Sequence, residues 1–333
     1  MKTFILRTSL ATALLISLNA QAEWLGSAGA GLSYSNNYSL QNGNYSNITQ
    51  SRYSRTGIEL SAAGSWQDFK PDGGYSIDGR ALLDRSTGSG SRISNLSLSA
   101  SKILPLSQSW VSRFNGGIIR YRDDDYLQNG YDGLRLEATA GYFSPQGGGA
   151  DFKLGWIDEN HDQDVAASYR TRRTTAAVSW FFAARAGAAQ PGVSLAIQQH
   201  TSTDARRDAL SLLFSASLER IRLGRHSLSL SLNWRQDDYD QPFTTVSTDP
   251  GGPLGGNPFG GGMSPGGFPG PGGGTLTSSQ PRRDTQLFAS ASVQHPIGRD
   301  LLAALSASAG RYDSSTGSQT FFNLHARLRW FIR

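Results

Sequence analysis

The alternation of apolar and polar residues, with a period of two, constrains the fold of this chain more than any other feature. At 226–234 the sequence reads HSLSLSLNW, which places three leucines and Trp234 on one face and Ser or Asn on the other. A β-strand sends successive side chains to opposite faces, whereas a helix would scatter both sets around its circumference. The segment therefore predicts a strand with one apolar and one polar face.

The same alternation recurs along the chain and predicts fourteen strands. Each predicted strand is long enough for the roughly 9–11 residues that a tilted β-strand needs to cross a bilayer. The strands are predicted near 24–35, 52–66, 75–85, 93–103, 109–121, 131–143, 150–158, 168–182, 192–201, 208–219, 226–236, 284–294, 301–311 and 319–332.

The connections between these strands fall into two length classes. In transmembrane β-barrels the turns on one side of the membrane are short, and the loops on the other side are longer. Compact connections from even to odd strands lie at 104–107, 222–225 and 295–298, and long ones from odd to even strands lie at 36–51, 122–130 and 237–283. An even strand count with this asymmetry predicts an all-β, up-and-down antiparallel barrel with both termini on the short-turn side.

A soluble β-sandwich is the alternative, because its strands also have one buried face. It does not account for the two classes of connection, nor for apolar faces that end in Trp beside faces of Ser, Thr, Arg and Glu. Tryptophans near strand ends are typical of the aromatic girdles of membrane barrels. They stand near the predicted strand ends at Trp24, Trp66, Trp110, Trp156, Trp180, Trp234 and Trp330.

The first 22 residues have the features of a cleaved signal peptide. Lys2 and Arg7 are followed by a short apolar stretch at 10–18, and Ala20-Gln21-Ala22 is a small-x-small cleavage site. The predicted organisation is therefore a signal peptide at 1–22 and a single barrel at 23–333. The full chain has a formal charge of +5, too small and too dispersed to predict a nucleic-acid partner.

The chain resembles Gram-negative outer-membrane β-barrel proteins over essentially all of 23–333. Such proteins usually end in an alternating strand closed by an aromatic residue, which the assembly machinery reads. His325, Trp330 and Ile332 match this assembly signal, whereas Arg327 stands where Gly is common and the chain ends in Arg.

The resemblance has consequences for location and partners. It implies an outer-membrane location with periplasmic termini, and it implies outer-membrane lipid, lipopolysaccharide and the barrel-assembly machinery as partners. In strand number the chain is also similar to barrels of polysaccharide exporters and of surface-lipoprotein assembly modifiers. It lacks the helical-repeat periplasmic domain that those proteins often carry.

The polar faces of the strands predict the lining of the lumen. Fourteen strands enclose more space than the eight-stranded barrels that side chains can fill. The charged residues expected to line it are Arg55, Glu59, Asp78, Arg80, Arg113, Arg135, Glu137, Lys153, Glu219, Arg235, Arg327 and Arg329. They would line a polar channel or neutralise one another across a closed interior, and the sequence leaves both open.

Arg and Asp recur together at the predicted outward strand ends. Examples are Arg122 before 123–125, Arg235 before 237–240, and the runs at 206–208 and 282–284. Such sets bind lipopolysaccharide phosphates, directly or through divalent cations, or they pair with one another and solvate the loops. Mutual pairing is the preferred interpretation.

The connection at about 237–283 contains a Gly- and Pro-rich segment, PGGPLGGNPFGGGMSPGGFPGPGGG, at 250–274. This composition buries too little apolar surface to offset the backbone entropy of folding, so it predicts a flexible extracellular loop. A plug, a flap over the pore, a surface-binding segment and a tolerated insertion are the alternatives for its role.

The sequence predicts no catalytic residue, no cofactor site and no metal site. Cysteine is absent, and the five histidines show no ligand spacing. The expected function is a transmembrane passage that is not an enzyme: a porin-like or export channel for a polar solute or polymer. A periplasmic export or secretion partner would accompany the export role. The alternative is a surface interaction, adhesion or assembly protein that uses its outward loops and has no open pore.

Overall fold

The structure is a computed structural model that describes residues 23–36, 54–70, 72–124, 130–145, 147–161, 169–183, 189–241, 243–248, 275–314 and 317–332. In these ranges the chain is almost entirely β-strand, with one turn of 3-10 helix at Ala205–Arg207. The described part contains no helix that is long and apolar enough to cross a membrane. The predicted signal peptide and the Gly-rich segment 251–274 lie outside the described residues.

Fourteen of the sixteen strands in the described residues form a closed antiparallel barrel, as predicted, and each pairs with the barrel strands before and after it; the other two strands lie outside the barrel sheet. Pairing of the first strand with the last closes the sheet. In chain order the strands are β1 (Glu23–Ser35), β2 (Arg55–Lys70), β3 (Gly73–Ser86), β4 (Arg92–Pro105), β5 (Trp110–Asp123), β6 (Tyr131–Phe143), β7 (Gly149–His161), β8 (Tyr169–Phe181), β9 (Gln190–Ser202), β10 (Ala209–Leu223), β11 (His226–Tyr239), β12 (Phe243–Thr248), β13 (Thr275–Gln280), β14 (Arg283–Pro296), β15 (Leu301–Ser314) and β16 (Gly317–Ile332).

β12 and β13 form a separate hairpin between β11 and β14. The sequence predicted one loop over 237–283, so this hairpin is a correction. Its strands, FTTVST and TLTSSQ, are rich in β-branched residues that favour strands. They lack the alternation of apolar and polar residues on which the prediction relied.

The outer surface of the barrel is apolar. Leu154 on β7 is 65% exposed and Ile118 on β5 is 59% exposed, and large apolar side chains continue around the outside. A water-soluble protein would place such residues in its core. A closed barrel satisfies the backbone N–H and C=O groups of its strands within the sheet, so this exterior suits a lipid bilayer.

The first residues of β1 and the last residues of β16 lie at one end of the barrel, here called the turn end, and the opposite end is called the loop end. Short connections at the turn end are 71–72, 106–109, 144–148, 224–225 and 297–300. The division by length is less regular than predicted. The connection 182–189 at the turn end has eight residues, whereas 315–316 at the loop end has two.

Five of the seven tryptophans lie near the turn end, where an aromatic girdle would contact the bilayer interface. These are Trp24, Trp66, Trp110, Trp180 and Trp330. The predicted strand-end position is wrong for Trp156 and Trp234. Each lies five residues from the loop end of its strand, because β7 and β11 extend three residues beyond their predicted ends.

A β-bulge keeps the apolar face of β10 continuous. The register with β11 shifts between Leu218 and Ile221, and Arg220 adopts a φ of 60°. The extra residue returns Ile221 to the outer face, where it pairs with Leu228. β10 therefore runs to Leu223 instead of ending at 219.

The assignment of the two faces of β11 is testable with neighbouring substitutions. Leu230 is an exposed residue of the apolar exterior, and Ser229 lies on the opposite face. A charge on the lipid face costs about 2–4 kcal/mol at the bilayer midplane. Leu230→Arg should therefore reduce the yield of assembled barrel, measured by heat-modifiable gel migration, far more than Ser229→Arg. Equal losses from both variants would contradict the assigned faces.

Candidate functional site in the barrel lumen

One half of the inner wall carries mainly hydroxyl groups. The Oγ atoms of Ser194 and Ser215 are 2.7 Å apart, and so are those of Ser231 and Ser290. These contacts join serines of neighbouring strands from β9 to β14, because small polar residues recur at every second position. This half of the lumen is polar and carries few charges along its middle.

The twelve residues predicted to line the lumen lie on the strand faces opposite the apolar exterior. Most of them gather in the remaining half of the wall, on β16, β2, β3 and β5–β7. Arg235 lies on β11 near the loop end, and Glu219 lies at the bulge of β10 near the turn end. The structure brings nine of the twelve into contact with other polar or charged side chains.

The first cluster is built around Glu59, whose side chain is only 4% exposed. Arg327 on β16 crosses the intervening strand β1, and its Nη2 donates to Glu59 Oε2 at 2.7 Å. His325 Nδ1 lies 3.7 Å from the same oxygen. Gly31 on β1 makes this crossing possible, because a Cβ there would lie 2.8 Å from Arg327 Cγ and 2.4 Å from the Ala326 carbonyl oxygen.

Arg55 and Asp84 form a second buried ion pair beside this cluster. Arg55 Nη1 donates to Asp84 Oδ1 at 2.6 Å, and Ser33 Oγ donates to Asp84 Oδ2 at 2.6 Å. Gly57 on β2 lies between Ser33 and Asp84. Its hydrogen leaves room for the aspartate, since a Cβ at Gly57 would lie 2.1 Å from Asp84 Oδ1. The carboxylate is thus fixed from both sides against the wall.

Two further arginines of this wall reach into the lumen. Arg80 and Arg329 are both exposed. The charges of Arg80 and Arg327 repel that of Arg329, and the charge of Glu59 attracts it. Small residues of β1 and β2 separate them, since Arg329 is level with Gly29 and Arg80 with Ala63. Asp78 lies two residues before Arg80 and accepts a hydrogen bond from Ser76 at 3.0 Å.

A similar arrangement surrounds Glu137 on β6. Arg135 pairs with it, and Lys153 Nζ lies 3.7 Å from Glu137 Oε2. The positive charge of Arg113 attracts the same carboxylate, and Arg113 Nη2 donates a hydrogen bond to Ser101 Oγ at 3.1 Å. The carboxylate is only 17% exposed whereas Arg135 is 42% exposed, so the guanidinium presents the accessible charge.

Near the loop end the inner wall carries a buried polar layer that the sequence only partly revealed. Arg235 Nε donates to Asp237 Oδ1 at 2.8 Å, and its Nη2 lies 3.4 Å from His200 Nε2. Tyr312 donates to Asp284 Oδ2 at 2.6 Å. Of these residues only Arg235 was among the predicted lining residues. The other four residues lie in the Arg and Asp runs or near them, and the alternation of each strand identifies which of its residues face inward.

Alternation divides those runs between the two sides of the barrel. Asp237 and Asp284 are buried on the inner face, whereas their neighbours Asp238 and Arg283 face outward and pair with each other. Mutual pairing of Arg and Asp, the preferred interpretation of the runs, is therefore observed. The rim is not one continuous charged surface.

His161 lies in an aromatic stack at the loop end of β7. Its ring is 4.3 Å from that of Tyr169, and the guanidinium of Arg207 lies 4.0 Å above the Tyr169 ring. Among the described residues no three His, Asp or Glu side chains are grouped so that they could hold a metal ion. These contacts give His161 a packing role at the mouth of the lumen.

The residues of the predicted assembly signal lie on both faces of β16. Trp330 and Ile332 are exposed on the apolar exterior, and His325 faces inward beside Glu59. Their role in assembly stays a prediction.

No family model matches the chain. No curated protein matches it either. Solved structures similar in overall shape include a loop-deletion mutant of OmpT, an outer membrane protein of Vibrio cholerae, at 8% identity and a TM-score of 0.46, covering 94% of this chain and 99% of that one. An anion-selective porin from Comamonas acidovorans gives 10% identity and a TM-score of 0.42, with 94% and 99% covered. Pseudomonas aeruginosa OccK2 gives 10% and 0.41, with 94% and 98% covered.

The class of the chain follows from its own architecture. A closed antiparallel barrel with an apolar exterior and a polar interior is the architecture of Gram-negative outer-membrane β-barrel proteins, the class that the sequence resembles. The similarities in overall shape say nothing about a substrate.

The crossing of Arg327 over Gly31 is testable. Gly31→Ala should lower the stability of the barrel by about 1–3 kcal/mol, because its Cβ would overlap the β16 backbone and displace Arg327 from Glu59. Gly64→Ala on β2 is the control, because a Cβ there meets nothing within 4 Å. Urea unfolding in detergent would measure both, and a Gly31→Ala barrel as stable as the control would contradict this role of Gly31.

Proposed function

We propose that this protein forms a water-filled passage across the outer membrane for small polar solutes, with a preference for anions. The observation that carries the proposal is the layering of charge on the lumen wall. Carboxylates are packed against the wall, and guanidinium groups cover them on the side of the lumen.

The accessible charge of the clusters around Glu59 and Glu137 is cationic. Glu59 is 4% exposed against 37% for Arg327, and Arg80 and Arg329 beside them are exposed as well. Interactions between charges are stronger where low-dielectric walls focus the field, so exposed arginines in a confined lumen raise the local concentration of anions. The opposite wall of serines offers hydroxyl groups to polar solutes without a competing charge.

The orientation belongs to the same proposal. The signal peptide directs export, the turn end with both termini faces the periplasm, and the loop end faces outward. The connection between β11 and β14 then carries its Gly- and Pro-rich segment outside the cell. Short periplasmic turns and longer outward loops are general in this class of barrel.

Selectivity in planar bilayers tests the passage and its charge preference together. The wild-type protein should conduct in discrete steps, with a reversal potential in a salt gradient that indicates an anion preference. Arg80→Gln/Arg329→Gln should shift that reversal potential toward cation preference, because two exposed cations leave the lumen. Arg283→Gln, a change on the outer face, is the matched control and should leave it unchanged.

Absence of conductance from correctly folded barrels would contradict the passage itself and favour a surface interaction protein without a pore. Conductance with unaltered selectivity in the double variant would contradict only the role of these arginines.

Accessibility of inserted epitopes tests the orientation. A tag inserted in 251–274 should be detected on intact cells, since this segment belongs to the loop end. A tag inserted in the turn at 224–225 should be detected only after the outer membrane is permeabilised. The reverse pattern would contradict the proposed orientation.

A further inference from the structure

We infer that His226 and His295, here called the histidine pair, together bind a divalent transition-metal ion at the turn end of the barrel. His226 begins β11, and His295 is the last residue but one of β14. Both belong to the outer face, because His226 lies two positions before Leu228 and His295 lies two positions after its partner Val293. The site consists of two imidazole ligands, and water completes the coordination of the ion.

The register of two strands brings the histidine pair together. β11 and β14 are neighbours in the barrel, and pairing of Ser227 with Gln294 makes His226 and His295 the next opposed positions. Opposed residues of antiparallel strands have Cβ atoms about 4.5–5.5 Å apart. The two imidazole rings accordingly have centroids 4.6 Å apart and planes tilted by 31°. The linear spacing of the histidines did not predict this pair, because the long connection that contains β12 and β13 separates the two strands.

The distance between the rings is the one that a shared metal ion requires. Bonds from a metal to an imidazole nitrogen are about 2.0–2.1 Å long. Two imidazoles bound to one ion at an angle of about 90–110° therefore have ring centres roughly 4.5–5.2 Å apart. The observed 4.6 Å lies within this range, so binding requires rotation of the side chains without movement of the strands.

The ring nitrogens of the histidine pair have no other partner. No hydrogen bond or ion pair to either imidazole occurs among the described residues, which include both adjoining connections, 224–225 and 297–300. Nδ1 of His295 is buried without a hydrogen-bond partner. A buried polar atom without a partner costs free energy, and a bond to a metal ion would offset that cost.

The other three histidines lack this arrangement. His161 and His325 each lie beside a glutamate, and His200 lies beside Arg235. None of them has a second histidine against its ring in the described part of the chain. The histidine pair is therefore the place where two imidazoles can act on one ion.

Two neutral imidazoles favour the later divalent metals of the first transition row. Imidazole nitrogen suits Cu²⁺, Ni²⁺ and Zn²⁺, whereas Mg²⁺ and Ca²⁺ prefer oxygen ligands. Cu²⁺ has the highest affinity in this series for a given set of nitrogen ligands. We therefore expect Cu²⁺ to bind most tightly.

A bound ion would join two strands that are far apart in the chain. Of all neighbouring barrel strands, β11 and β14 have the longest connection between them, and it lies at the opposite end from the histidine pair. A ligand that binds the folded protein in preference to the unfolded chain stabilises the fold by mass action. A metal ion that closes a long loop has the largest such effect in theory. The inference depends neither on an open pore nor on the orientation of the barrel.

Copper binding to the full mature protein, untagged and in detergent, tests the inference. The wild type should bind one Cu²⁺ at the histidine pair, and its electron paramagnetic resonance spectrum should show coupling to two imidazole nitrogens. His226→Gln and His295→Gln should each lower the affinity about a hundredfold, because a two-point attachment becomes a single one. His161→Gln, which removes a histidine at the opposite end of the barrel, is the matched control and should bind as the wild type does.

Thermal unfolding gives a second readout. Saturating Cu²⁺ should raise the temperature at which the heat-modifiable gel band of the wild type and of His161→Gln converts to the unfolded form. It should not raise that temperature in either variant of the histidine pair.

Three results would overturn the inference: equal affinity in the wild type and in both variants of the pair, loss of binding in His161→Gln, or coupling of copper to a single imidazole nitrogen in the wild type. Heat-modifiable migration without copper verifies that each variant folds. If His295→Gln does not fold, His226→Gln decides the question alone, because His226 is exposed and its replacement removes no buried contact.

Discussion

Closure of the sheet is the constraint on which the rest of the structure depends. A bilayer offers no partners for backbone N–H and C=O groups, so a strand can lie in lipid only if both of its edges are paired. Pairing of β1 with β16 meets this condition for all fourteen strands at once. Once the sheet is closed, alternation alone separates an apolar exterior from a polar interior.

The interior then has to accommodate charges on a curved wall. It does so by pairing both along a strand, as in the contact of Arg135 with Glu137, and across strands, as in the contact of Arg327 with Glu59 over β1. Glycines at the crossing points admit the side chains, and around Glu59 and Glu137 the carboxylates become buried while Arg327 and Arg135 remain accessible. The proposed anion preference follows from this layering and not from the net charge of the chain.

The fold was largely predictable from the sequence because alternation is a local signal. Each strand carries its own pattern, and the number of strands and the face of each residue follow from counting. The bulge at Arg220 was not predicted, since the apolar pattern shifts by one residue there. The hairpin of β12 and β13 also has no alternation to reveal it. The partner of each lumen charge on another strand, such as Glu59 for Arg327, was beyond prediction, because the alignment of β16 with β2 across β1 depends on how the whole barrel closes.

Labelling along β11 tests the central claim of a closed barrel with a wet lumen most directly. The chain contains no cysteine, so single cysteines at each position of 228–235 give one reactive site each. In the native membrane, a water-soluble thiol reagent should label positions 229, 231, 233 and 235 and leave positions 228, 230, 232 and 234 unlabelled. Labelling without this period of two, or of none of the eight positions, would contradict the account.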